Sequence, residues 1–151
     1  MSLVRSEIEA LSAEFAYLID HDESERVADL FTEQGSYGVR EGKRSVGRPE
    51  IRAAYAARAA RGLRTARHAF TNLRLVFEDT DRVRATSILT LFADDGAPPR
   101  PAEVNIVADY EDVIVRESDG RWRYQSRTIV TKFVHPGGKP TVLPLGESKA
   151  R

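Results

Sequence analysis

The hydrophobic period of this sequence changes once, at Gly62, and that change limits the folds open to it. Ahead of Gly62 the apolar residues recur at helical spacing; behind it they alternate at strand spacing. In the first part, Ser6 followed by Glu9 has capping-box spacing, and Ile8, Leu11, Phe15, Leu18 and Ile19 form a stripe, which predicts a helix over about 6–20. Asp22 with Glu25 repeats the signature and predicts a short helix near 23–32, with Val27, Leu30 and Phe31 inward. The stretch EQGSYGVREGKRSVGRPE holds turn residues around a short strand-like piece, consistent with a hairpin. Gly47 and Pro49 then open a helix near 48–61, with Ile51, Ala54, Tyr55 and Arg58 on one side and Gly62 at its stop.

Beyond Gly62 four strands are readable, at about 67–78, 82–93, 102–116 and 121–134. The turns DTD and SDG are short, whereas DDGAPPRP is a longer polar loop whose prolines forbid strand pairing. Helices followed by an antiparallel meander spell an α+β fold. The expected organisation is one domain over 1–136 and a C-terminal extension over 137–151, where GGKPTVLPLGESKAR has no period. One face of the strand around 102–116 carries Val104, Ile106, Ala108, Tyr110 and Ile114 and the other Val107, Val113 and Val115, so a homodimer or homotrimer is expected.

With 151 residues and no cysteine, the chain can bury a core but has no disulfide, thiolate metal site or Cys nucleophile. Its 23 basic and 23 acidic residues are interspersed, so no broad positive field is present to draw nucleic acid or anionic lipid. No long apolar run suggests a signal peptide or a membrane span, and a cytoplasmic protein is expected. No phosphate loop, nucleotide fingerprint or histidine pair at ligand spacing occurs, so neither cofactor nor metal is expected.

Imidazole chemistry rests on three histidines. His68 opens the stretch RHAFTNLRL, where Ala69, Thr71, Leu73, Leu75 and Phe77 read as the apolar face and His68, Phe70, Asn72 and Arg74 as the other. Asp20 falls at the end of the first helix, where the macrodipole opposes its charge and a nearby imidazolium is favourable. A carboxylate on one imidazole nitrogen fixes the tautomer and leaves the other nitrogen as a base. Tyr17, three residues before Asp20, can reach the same site. Asn72, in phase with His68, can orient a ligand or satisfy a bulge. Arg127 alternates with Arg121, Arg123 and Gln125, and reads as a solvated edge face or an anion contact. From the residues alone, a hydrogen-bonded structural histidine and a catalytic one both stay open. His21 reads as solvated, and Trp122, Tyr124 and Tyr110 as core or pocket wall.

The segments YLIDHDESERVADLF, GRPEIRAAY, RHAFTNLRL and YEDVIVRESDGRWRYQSR resemble, in order and spacing, the SnoaL-like group of the nuclear transport factor 2 superfamily. The likeness spans about residues 5–134. It implies a cone: a curved, mixed, mostly antiparallel sheet covered by three N-terminal helices. Among members of that superfamily the sequence is similar to hexachlorocyclohexane dehydrochlorinase, scytalone dehydratase and bile acid 7α-dehydratase. In these a first-helix aspartate pairs with a strand histidine that removes a proton, and Asp20 and His68 fall at the matching positions. Phe15 stands where the dehydrochlorinase has a catalytic lysine, so loss of chloride is not implied. The resemblance implies a cofactor-independent lyase removing water from a small hydrophobic hydroxy or carbonyl compound. Asp20, His68 and Tyr17 are the expected catalytic residues, with Asn72, Arg127 and Tyr55 against the substrate. An isomerase, a polyketide-cyclase-like enzyme, or a non-catalytic ligand-binding or accessory subunit are the alternatives.

Overall fold

The computed structural model describes residues 2–137, so the expected extension lies, beyond Gly137, outside the described residues. The first helix, α1, runs Ser2–Asp20. It begins ahead of Ser6, so Ser6 and Glu9 sit within the helix and form no capping box; Glu9 instead pairs with Arg5 at 2.9 Å. The stripe Ile8, Leu11, Phe15 and Leu18 is buried as its spacing predicts.

The second helix is a 3₁₀ segment, Ser24–Leu30, and not an α-helix reaching residue 32. Phe31 is already extended (φ −102°, ψ 156°) and starts β1, Phe31–Val39. Extension turns the Phe31 ring into the core, 5.3 Å from Tyr124 and 5.8 Å from Tyr37. A hairpin leads to β2, Arg44–Val46, and then to α2, Arg48–Ala59. Gly47 precedes α2 at φ +87° and Gly62 follows it at φ +114°, both in the region that favours a residue without a Cβ.

Four long strands complete the chain: β3 Arg64–Asp79, β4 Arg82–Asp95, β5 Ile106–Arg116 and β6 Trp122–Val134. They pair antiparallel in sequence, and β1 adds to β6 in parallel, giving one six-stranded mixed sheet of order β2-β1-β6-β5-β4-β3. The sheet is open, with β2 and β3 at its edges. The architecture is α+β, with α1 against β3 and β6 and α2 against β1 and β2. β5 starts at Ile106 and not near 102, because the prolines 98, 99 and 101 precede it. Asn105 continues the edge with its side chain, whose Oδ1 accepts the Ala93 N–H at 3.1 Å. No described helix is long and apolar enough to cross a membrane.

Of the register shifts in the sheet, one in β3 and one in β6 reset the faces around the site. In β3 the pairing passes from Thr71 opposite Ile88 to Arg74 opposite Thr86, and Asn72 takes φ +57°. Ala66, His68 and Phe70 point inward before the bulge; Leu73, Leu75 and Phe77 do so after it. The single apolar face from Ala69 to Phe77 expected from alternation is therefore corrected: Ala69 and Thr71 are exposed, and His68 shares the inner face. In β6 the pairing passes from Ile114 opposite Tyr124 to Val113 opposite Ser126, leaving Gln125 as the extra residue. That shift puts Arg127 on the inner side with Trp122 and Tyr124, and not with Arg121, Arg123 and Gln125.

Candidate active site

The end of α1 and the start of β3 meet at Asp20 and His68. Asp20 Oδ1 lies 2.6 Å from His68 Nδ1, and Asp20 Oδ2 accepts the His68 backbone N–H at 2.9 Å. Both carboxylate oxygens are thus held by one residue, which fixes the carboxylate plane and the ring together. Each side chain is almost closed to solvent, at 5% and 4% exposure. Asp20 is the last residue of α1, and Arg67 brings a cation there, its Nη1 donating to the Asp20 carbonyl at 3.4 Å. With Asp20 ionised, Nδ1–H donates to it and the ring lone pair resides on Nε2.

His68 lines a cavity of about 560 Å³ between α1 and the inner face of β3 and β4. Ser12, Ala13 and Ala16 form its helix side, and Phe70, Leu73 and Ser87 its sheet side. Its volume is that of a small-molecule site. Arg5 and Glu9, paired with each other, stand at the wall as well. Asn72 reaches the same cavity from the bulge, so it joins His68 as expected, by a backbone turn rather than by strand phase. Ser12 and Ser87 were not singled out from the sequence. For Ser12 a signal exists: with Ala16 and Asp20 it makes an i, i+4, i+8 series on one helix face.

Three expected site residues lie elsewhere. Tyr17 is 51% exposed and its ring stacks on His21, with centroids 4.1 Å apart. It lines neither cavity described here, so the catalytic role expected for it has no geometric support; His21 also donates to its carbonyl. Tyr55 is buried, stacked on Tyr37, and lines a different cavity from His68.

Arg127 is not solvated, at 1% exposure, and lines neither of these two cavities. Its Nε and Nη2 donate to Asp112 Oδ1 and Oδ2 at 2.9 and 3.1 Å, a bidentate pair. The guanidinium carbon lies 4.2 Å from the Tyr124 ring centre, 4.3 Å from Phe15, 4.5 Å from Tyr110 and 5.0 Å from Phe70. Burial pushes the Asp112 carboxyl up, against the pull of Arg127. Burial likewise pushes the Tyr37 and Tyr110 phenols well up, so both stay protonated, with their hydroxyls 2.9 Å apart. This ring-lined ion pair fills the middle of the cone. Among the described residues no three His, Asp or Glu side chains are grouped to hold a metal ion.

A search of curated protein sequences finds no match. Solved structures share the fold. Rv3472 of Mycobacterium tuberculosis, of unknown function, is 26% identical with a TM-score of 0.73, over 89% of this chain and 79% of its own. ActVI-ORFA of Streptomyces coelicolor is 21% identical with a TM-score of 0.74, over 85% of this chain and 98% of its own. A scytalone dehydratase-like protein of Novosphingobium aromaticivorans is 19% identical with a TM-score of 0.73, over 91% and 95%. The family model of the SnoaL-like domain matches residues 1–128, and the chain belongs to that family.

Proposed function

We propose that this protein is a cofactor-independent lyase that removes water from a small β-hydroxy carbonyl compound. The observation carrying this reading is the Asp20–His68 pair beside a cavity of substrate size. His68 Nε2 takes the proton from the carbon next to the carbonyl. The C–H electrons become the new double bond as the β C–O bond breaks, and the departing oxygen leaves as water with the proton returned by the imidazolium. Asp20 fixes the ring and offsets its positive charge. Ser12 and Ser87, on the walls of the same cavity, are the hydroxyls suited to the carbonyl oxygen, a task the sequence suggested for Tyr17. Asn72 positions the ligand from the bulge. Arg127 and Asp112 act at a remove, by keeping the cone interior rigid.

A panel of β-hydroxy ketones, followed by the absorbance of the conjugated product, tests this. Turnover by the wild-type protein should fall about tenfold or more in Asp20→Asn, since a hydrogen bond to a charged group is worth roughly 1.5–3 kcal/mol. Formation of product at the same rate by Asp20→Asn would remove the pair from the mechanism. The filled cone interior favours a second reading, a ligand-binding protein without catalysis. Saturable binding of panel members with no product from any of them would support it.

A further inference from the structure

A second cavity, of about 450 Å³, lies between the C-terminal part of α2 and the first residues of β3, with Ile19, Ala59, Leu63 and Ala66 as apolar walls. It takes no part in the chemistry above. Leu63, although part of the wall, is 57% exposed. The apolar surface continues from there across the sheet, because directly opposed residues share a face. Ala66 stands opposite Ala93 in β4; two residues along, Leu91 stands opposite Ile106 in β5, and Ile106 opposite Val134 in β6. Val134 is 63% exposed, and Val104, two residues ahead of Ile106, is 38% exposed. Leu63, Val104 and Val134 thus follow one end of the sheet from β3 to β6, a band of large apolar side chains open to solvent.

The chain carries a segment that fits this band. After β6 the His135 N–H donates to the Asn105 carbonyl and the Gly137 N–H to His135 Nδ1 at 2.9 Å, so the chain turns at the same end of the sheet. Residues 138–151 follow, outside the described part, and within them Thr141, Val142, Leu143, Pro144 and Leu145 form an apolar run before the polar GESKAR. Crossing from β6 to β3 takes three strand spacings, about 14 Å. Five residues in the extended form that proline favours cover about 15 Å, and residues 138–140 give about 10 Å more for leaving the turn. The prolines at 140 and 144 lack an N–H, so this run is suited to burial by side chains and not to sheet pairing. We infer that Thr141–Leu145 folds back on its own chain across this end of the sheet, with Val142 toward Val104 and Val134 and Leu145 against Leu63 at the second cavity. The strap does not depend on the Asp20–His68 reaction.

The chain has no cysteine, so a chosen pair of thiols tests the contact without background. Full-length protein with Leu63→Cys and Leu145→Cys, oxidised at low concentration, should form a disulfide within one chain, seen as a shift of the monomer band on a denaturing gel that reductant reverses. Val76→Cys with Leu145→Cys is the control: Val76 is also exposed, but lies on the outer face of β3 toward its far end, so its disulfide should form about tenfold more slowly or less. Thermal melting checks each variant, and Val104→Cys with Val142→Cys serves if Leu63→Cys fails to fold. In a second measurement, Leu143→Asp with Leu145→Asp in the full chain should uncover the band and raise the fluorescence of added 8-anilinonaphthalene-1-sulfonate about threefold or more. Equal rates for the two thiol pairs, a disulfide formed only between chains, or unchanged dye fluorescence in the folded Asp variant would overturn the inference.

Discussion

Asp112→Ala is expected to lower the free energy of unfolding by about 3–5 kcal/mol, because it leaves the Arg127 charge buried without its carboxylate. Arg127 has no route to water: it is 1% exposed, and the rings of Phe15, Tyr110, Tyr124 and Phe70 surround it. The four rings attract the cation in the wild type and the variant alike, so they do not make up for the carboxylate that is lost. Removing both charges is a different experiment. Arg127→Met with Asp112→Leu deletes the desolvation cost along with the attraction, and is expected to be close to neutral. Urea denaturation of the two single variants and the double variant reads the difference. A single Asp112→Ala that unfolds within about 1 kcal/mol of the wild type would show that water reaches Arg127.

His68→Gln is expected to reduce turnover by about 10² to 10⁴, the usual contribution of a positioned general base. Glutamine is the informative replacement because its amide can still donate to Asp20. His68→Ala would leave a carboxylate only 5% exposed with just the backbone N–H of residue 68, at a cost of about 1–3 kcal/mol, mixing stability with chemistry. The melting temperature of His68→Gln should therefore stay close to that of the wild type while product formation collapses.

Much of this fold is legible in the chain. The stripe Ile8, Leu11, Phe15 and Leu18 gives the buried face of α1, the switch of period at Gly62 separates helices from meander, and β4 to β6 sit within a few residues of their expected places. What alternation misses are the bulges. A single extra residue at Asn72 or Gln125 inverts the side chains that follow it as far as the next irregularity, which is why His68 and Phe70 share an inner face with Leu73, and why Arg127 is core rather than edge. Asn72 carries its signal in the sequence as an asparagine, the residue that best tolerates φ above zero; Gln125 carries none. The parallel pairing of β1 with β6 was hidden too, because β1 starts inside a stretch with helical spacing.

Within the site, Asp20 was readable as an acid at a helix C-terminus in need of a cation, and its partner as the histidine of RHAFTNLRL. Tyr17 misled for a geometric reason. Three residues along a helix is about 60° of rotation, enough for two side chains to share a site or to diverge, and here Tyr17 turns to His21 and solvent. Serines 12 and 87 carry no mark of a shared site in the sequence pattern of strand and helix, because they meet only at the cavity wall that the folded sheet creates.

The most direct measurement of proton abstraction is proton NMR in heavy water on a β-hydroxy ketone that the wild-type protein dehydrates. The account predicts that the signal of the hydrogen next to the carbonyl is lost in step with product formation, and that His68→Gln slows both by about 10² or more. Loss of that signal at the wild-type rate in folded His68→Gln would contradict it.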